Sequence, residues 1–279
     1  MGEAKRRKQA QAAGKPWPPR DASAPVAKPQ SAQAFLDQLP PEMRAEFFRL
    51  FETTRDATRQ ALSGLRDLPE MERAQRLEAV ARARHADLES TTNAAFDGSE
   101  DGRAMRAAVA CRKGCSFCCH INVSVTIPEA ILVAASLRHG PYREFAPRVE
   151  ATAARAAGLN ELERFRHALP CPMLKDGACG IYDVRPTACR AYLATDAKQC
   201  EASLESARTV GTPTPVESLA YPQQISAAIN GGVLQACADA GLQNCAVELS
   251  QATALMLRDD TAVTRWLNGE AVFEPYRRA

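Results

Sequence analysis

Cysteine carries most of the chemistry this sequence can do, and it comes in two blocks. The first is Cys111-Arg-Lys-Gly-Cys115-Ser-Phe-Cys118-Cys119-His120, four thiols within nine positions. A lone cysteine behaves as a small, easily buried hydrophobe, but four set this close can share one cation. Thiolate is a soft ligand that selects zinc, copper(I) or iron–sulfur clusters, and short gaps let a single turn wrap the ion. Gly114 suits such a turn, because glycine reaches positive φ at no steric cost and would weaken a helix through the same residues. The stretch reads as a metal-binding loop.

The second block is Cys171-Pro-Met-Leu-Lys-Asp-Gly-Ala-Cys179-Gly-Ile-Tyr-Asp-Val-Arg-Pro-Thr-Ala-Cys189-Arg, with Cys200 beyond it. Pro172, Gly177, Gly180 and Pro186 break it into turns. Neither block makes a comfortable closed site alone. Adjacent residues such as Cys118 and Cys119 point apart on a strand and do not face each other on a helix, so one of the pair is expected to look toward a different partner. The economical arrangement brings the blocks together, with about seven or eight thiols in one region, enough for two mononuclear zinc sites or one iron–sulfur cluster with spare ligands. The candidate metal ligands are Cys111, Cys115, Cys118, Cys119, Cys171, Cys179 and Cys189. Cys200 is balanced between ligand and core, whereas Cys237 and Cys245 lie in Ala- and Leu-rich surroundings and read as core.

Among the neighbours, His120 reads as a residue beside the site rather than a ligand. His85 is expected on a solvated face, and His139 and His167 sit among charges with no assigned role. Arg112, Lys113, Arg185 and Arg190 flank the thiols. A four-thiolate site is negative, and nearby cations favour the thiolate form; Arg185 and Arg190 are placed either to hydrogen-bond the centre or as ordinary surface arginines. Tyr182 is expected to pack, with its hydroxyl paired.

The elements that must position these thiols are mostly helices. Residues 1–30, rich in Lys, Arg, Pro, Ala and Gln, cannot bury enough apolar surface to order themselves. They read as a disordered basic arm, a solubilising tail whose Lys5, Arg6, Arg7 and Lys8 would contact nucleic acid only weakly. Residues 31–107 form an N-terminal helical region. Met43, Phe47, Leu50 and Phe51 make one apolar face of a helix beginning near Pro41, and Pro69 opens a second, with Met71, Ala74, Leu77, Ala81 and Leu88 at helical intervals and an end near Gly98.

Residues 108–200 form the cysteine-cluster region. Within it Ile121-Asn-Val123-Ser-Val125-Thr-Ile127 alternates like a half-buried strand. Thr126 and Glu129 have capping-box spacing ahead of a helix from about Pro128 to Arg138. One or two helices follow from about Tyr142 to Ala168, with a break at Gly158, and Asp176-Gly177 marks a hairpin. Residues 201–279 are again helical, around Glu217 to Ala240 and Cys245 to Leu267, with Asn230-Gly231-Gly232 read as a turn. The expected fold class is mainly α, with a small irregular β-element around the central cysteine-rich metal-binding region.

Composition bounds the rest. A chain of 279 residues with 46% hydrophobic and 24% charged side chains has the make-up of a soluble globular protein. A formal net charge of +2 selects no partner. No stretch approaches the roughly 18 uninterrupted apolar residues of a membrane span. The charged start, Met1 to Lys8, is not followed by the apolar run of a secretory signal, and Arg6 stands where a myristoylation motif wants Ser or Thr. The expected location is the cytoplasm, where thiols stay reduced. Ten cysteines there speak for metal rather than disulfides.

With both blocks in view, the chain resembles the cysteine-cluster family of zinc- or iron-chelating domains, CxxCxxCC or YkgJ-like. The match rests on Cys111-x3-Cys115-x2-Cys118-Cys119, an alternating apolar segment and Glu129. It continues through Cys171-Pro-x-Leu, Gly177-x-Cys179, Ile181-Tyr182, Arg185-Pro186 and Cys189-Arg190, and covers about residues 108 to 200. The resemblance implies metal or iron–sulfur binding. One relative by motif, flagellin lysine N-methylase, extends the group to S-adenosylmethionine-dependent methyl transfer to protein lysine; the long helical flanks here depart from the family.

Cys111-x3-Cys115-x-Phe117-Cys118 also spells the signature of radical S-adenosylmethionine enzymes, whose three thiols leave one iron of a cluster open. That motif follows the first strand of a partial barrel. Here an Ala-rich helical piece precedes it, and only one convincing strand follows. The expected function is therefore binding of zinc or iron, a [4Fe–4S] cluster being one form. The Cys-ligated centre would organise the fold, in the service of a protein partner or of metal handling. The alternative is an iron–sulfur enzyme, either a protein lysine methylase or of radical type. Thiols alone do not choose between zinc and iron, since both accept four. No phosphate loop, nucleophile elbow or His/Asp pair assigns catalytic residues.

Overall fold

Pro41, in the first turn where its missing N–H costs nothing, opens helix α1, Pro41–Leu62. The computed structural model describes residues 36–37, 39–167 and 169–278, so the basic arm expected over residues 1–30 lies outside the described residues. Leu50, Thr54, Thr58 and Leu62 form the buried stripe of α1 at four-residue spacing. Gly64, at φ +69°, reverses the chain into a 3-10 turn, Leu65–Asp67. Helix α2, Glu70–Gly98, then runs from Pro69 as the sequence predicts, burying Leu77, Ala81 and Leu88. Its stripe also takes in His85, which is 5% exposed. The expected solvated position of His85 is thus overturned, because four-residue steps from Leu77 through Ala81 carry it onto the packed face.

The elements of the middle region are short. Ser99 accepts from the Gly102 amide at 2.9 Å and caps α3, Glu100–Ala108. After the cysteine loop the expected strand over residues 121–127 shrinks to β1, Ser124–Val125. The reason is local competition: Thr126 is already the N-cap of α4, Ile127–Arg138, with both halves of the capping box made. Helix α4 buries nearly every residue. The 3-10 turn Arg143–Phe145 leads to α5, Ala146–Ala156, and α6, Glu161–Arg166, follows the predicted break at Gly158, which has φ +75°.

The predicted hairpin is present as β2, Leu174–Lys175, and β3, Ala178–Cys179. Asp176 and Gly177, at φ +50° and +75°, both lie in the left-handed region, the geometry that matches strand twist in a two-residue turn. Two helices that periodicity did not reveal come next: α7, Thr187–Ala191, and α8, Ala197–Thr209. Helix α9, Ala220–Asp239, passes without interruption through Asn230-Gly231-Gly232. The turn expected there is overturned by packing. A Cβ on Gly232 would stand 2.5 Å from the Phe51 carbonyl oxygen, and one on Gly231 3.2 Å from the Phe51 ring. The two glycines are what let α1 and α9 lie backbone against backbone.

Strand β4, Ala246–Glu248, precedes α10, Leu249–Arg258, and α11, Ala262–Leu267. It is the middle of a three-stranded antiparallel sheet, β1-β4-β5, in which Val125 pairs with Val247 and Ala246 with Arg278 of β5, Arg277–Arg278. The fold is mainly α with these small antiparallel pieces. The larger core cluster runs from Leu62 to Phe273 and draws on helices before, within and after the cysteine region. A smaller one joins Leu50 of α1, Leu88 of α2, Ala191 of α7 and Ile225 of α9. Among the described residues no helix is long and apolar enough to cross a membrane.

Candidate metal centre

Gly114, at φ +95°, makes the turn in the first block that its glycine predicts. The Cys115 amide donates to the Arg112 carbonyl at 2.9 Å, and the 3-10 turn Phe117–His120 then presents Cys118 and Cys119. At the start of the block the Cys111 sulfur accepts from the Ala194 amide at 3.2 Å, and the Ala110 amide donates to the Ala194 carbonyl at 2.9 Å. At its end the Cys171 amide donates to the Cys119 carbonyl at 2.6 Å. Chain from just beyond the second block therefore lies over the start of the first, and the first residue of the second block is fastened to its end. The hairpin sets Cys179 opposite Leu174, and α7 carries Cys189.

All ten cysteines are free, and the seven candidate ligands are half-buried. Their electrostatics tie the blocks together. The Cys119 thiol donates to Cys118 and so holds the Cys118 thiol down at about 7 against burial, with help from the Arg185 charge. The same hydrogen bond pushes Cys119 well up, as do burial, Cys118 and then Cys171 and Cys189 of the second block. The adjacent thiols, expected to look apart, meet each other because Cys119 sits at a kink inside the 3-10 turn. Burial raises Cys171 to about 11 and raises Cys179 and Cys189 as well, with Cys118 adding to the last two. Cys200, buried in the first turn of α8, is raised to about 11 by burial and then by Cys111, Cys118 and Cys115. Among the described residues no three of the His, Cys, Asp and Glu side chains form a ready-made cage around one point; the thiols share a region. Cys237 and Cys245 are core residues, 1% and 6% exposed.

Arg185 is the cation that acts on most of these thiols. Its charge helps to lower Cys118 and partly opposes the rise that burial causes at Cys111, Cys179 and Cys189. Its guanidinium lies 4.6 Å from the centre of the Tyr182 ring, which fixes its plane by a cation–π contact. Tyr182 is therefore not packed as expected but 43% exposed, serving as the platform for Arg185. The Arg185 Nε is buried with no hydrogen-bond partner. A buried donor of this kind is costly unless something accepts from it. Soft sulfur donors around a cation whose buried Nε lacks an acceptor suit an anionic thiolate–metal centre, so the residues fit a zinc or iron group. Arg190, whose charge also acts on Cys179, is tied to the backbone: its Nε donates to the Arg185 carbonyl at 2.6 Å and its Nη2 to the Asp183 carbonyl at 2.8 Å, while Glu89 pairs with it from α2.

Residues 110–207 match the CxxCxxCC family model, described as a putative zinc- or iron-chelating domain. The CxxCxxCC match takes in all seven candidate ligands and Cys200 and leaves out Cys237 and Cys245. It supports a metal-binding role for this part of the chain. No curated protein and no solved structure matches the chain.

Two buried carboxylates brace the cysteine-rich region. Glu129, 2% exposed, was legible as the capping-box partner of Thr126, and its Oε2 accepts from the Thr126 amide at 3.1 Å. Its Oε1 accepts from the Thr187 amide at 2.7 Å and the Thr187 hydroxyl at 2.9 Å and faces His85 Nε2 at 3.4 Å. Burial opposes the charge of Glu129, but the His85 and Thr187 hydrogen bonds outweigh it and hold the carboxyl below 4.5. Nothing in sequence spacing announces this second role, because Thr187 and His85 are distant in the chain. Glu248, fully buried, pairs with Arg164 at 3.2 Å, while Arg164 Nη2 lies 3.2 Å from the Ser250 hydroxyl oxygen. That pair sits behind Cys171, whose thiol feels both charges. His120 has contacts at both ring nitrogens, Nδ1 at 3.3 Å from the Phe117 carbonyl and Nε2 at 3.4 Å from Arg208.

Proposed function

We propose that Cys111, Cys115, Cys118, Cys119, Cys171, Cys179 and Cys189 hold zinc or iron, and that the metal fastens the two blocks into one folded unit. The observation that supports this most is the junction itself: the Cys171 amide on the Cys119 carbonyl, with thiols from both sides in one electrostatic neighbourhood beside Arg185. Thiolates would be the ligands, and a bound metal would supply cross-linking energy that the short 3-10 turn and hairpin lack. Such thiols persist in a reducing compartment, which favours the cytoplasm. The iron–sulfur enzyme alternative gains less from the fold. Its barrel form needs strands alternating with helices, and among the described residues the strands are two or three residues long.

Anaerobic purification followed by metal analysis and a visible spectrum tests the proposal. Stoichiometric zinc in a colourless protein, or iron in a coloured one, supports it and names the metal. A correctly folded chain with neither would sink it.

A further inference from the structure

A cavity of about 400 Å³ opens beside the centre, between the segment from Cys118 to Ser124, helix α7 and helix α9. That lies within the range of small-molecule sites, about 300–1,000 Å³. One cysteine from each block, Cys118 and Cys189, stands in its wall. None of its lining residues is Asp, Glu, Lys, Arg or His, in a chain whose side chains are 24% charged. Helix α9 turns Gln223, Ser226, Ala227 and Asn230 toward it, one face by helical spacing. Its Ile225, Ala228 and Ile229 go to the core instead. Asn230 is held in place on this face, its side-chain amide 3.1 Å from the Thr187 hydroxyl oxygen.

We infer that this cavity binds a small uncharged ligand bearing an amide or hydroxyl group, lying along the Gln223, Ser226 and Asn230 face with one end at Cys118 and Cys189. Along the Gln223, Ser226 and Asn230 face an ion of either sign would find no counter-charge, whereas the amides and hydroxyl there can pair with a neutral polar group. The cavity belongs to the packing of α7 against α9 and exists without metal. Its meaning as an approach to the centre rests on the proposed ligand set, and there it leaves one side of that set reachable by a non-protein molecule.

Iodoacetamide, a neutral amide, and iodoacetate, its anionic counterpart, test this on the full-length folded protein. Alkylation is followed cysteine by cysteine by mass spectrometry, with metal content measured in parallel. Cys115 is not in the cavity wall and serves as the internal reference. The neutral-to-anionic rate ratio at Cys118 and Cys189 should exceed that at Cys115 by about fivefold or more, since the Gln223, Ser226 and Asn230 face that lines the approach offers the anion no positive charge. Ala227→Leu, which puts a larger side chain in the cavity wall at an exposed position where leucine keeps the helix, should slow iodoacetamide at Cys118 and Cys189 and leave Cys115 unchanged. Equal ratios at all three cysteines, or no effect of Ala227→Leu, overturns the inference. A protein without metal would instead overturn the proposed centre and leave these ratios readable.

Discussion

The Thr187 amide donates to Glu129 Oε1 across 2.7 Å, and this contact sets α7 against the first turn of α4. Because α4 begins a few residues after the first cysteine block and α7 carries Cys189 of the second, one buried carboxylate registers the two halves of the centre. His85 of α2 closes the arrangement from the N-terminal helices.

Glu129→Ala leaves the Thr126 and Thr187 amides and the His85 ring buried without their acceptor. Removing one partner of a buried charged network costs about 3–5 kcal/mol, and urea unfolding should show a loss of that order. Metal content per folded chain should fall with it, because α7 loses its anchor; a variant of unchanged stability would mean the network does not hold the fold.

The same carboxylate gives a pH signature. The folded Glu129 carboxyl is held below its ordinary 4.5, so its contribution is fully present above pH 4.5 and is lost as pH falls through the lower folded value. The stability gap between the native chain and Glu129→Gln should therefore narrow in acid as pH falls below 4.5. A gap that widens on acidification would contradict the assignment.

Among the thiols, Cys115→Ser and Cys179→Ser should each strip bound metal and loosen the middle of the chain, since ligation contributes folding free energy. Cys237→Ala, at a core position 1% exposed, should leave metal stoichiometry alone. Elemental analysis of the purified variants reads both outcomes, and equal metal in all three would undo the ligand set.

Arg185→Gln removes the cation from beside four thiols and leaves an uncharged side chain over Tyr182. Outer partners of metal ligands typically matter by about 10–100-fold in metal affinity, and competition with a coloured chelator should show a weakening in that range. Circular dichroism of the metal-loaded variant should remain native; undiminished affinity would return Arg185 to the role of a surface arginine.

Gly232→Ala tests the helix contact that supports the site from below. Alanine favours a helix by about 1 kcal/mol over glycine, yet its methyl group would press on the Phe51 backbone. Overpacking of this kind costs about 1–3 kcal/mol, so the variant should unfold at lower urea. If it proved more stable, α1 and α9 would have room to spare.

Much of the local structure is written in the chain itself. The thiol spacing, the Gly114 turn, the Thr126–Glu129 cap, the Asp176-Gly177 hairpin and the two long helices opened by Pro41 and Pro69 each depend on residues within a turn or two of one another, and local sterics and hydrogen bonds decide them. Tertiary packing decided what spacing does not encode. It placed His85 inside, carried α9 straight through Gly231-Gly232 because α1 needed the room, and made Tyr182 a platform for Arg185. It also brought Cys118 and Cys189 to the wall of one cavity. These outcomes turn on which surfaces exclude water together, and that is settled only when distant segments of the chain meet.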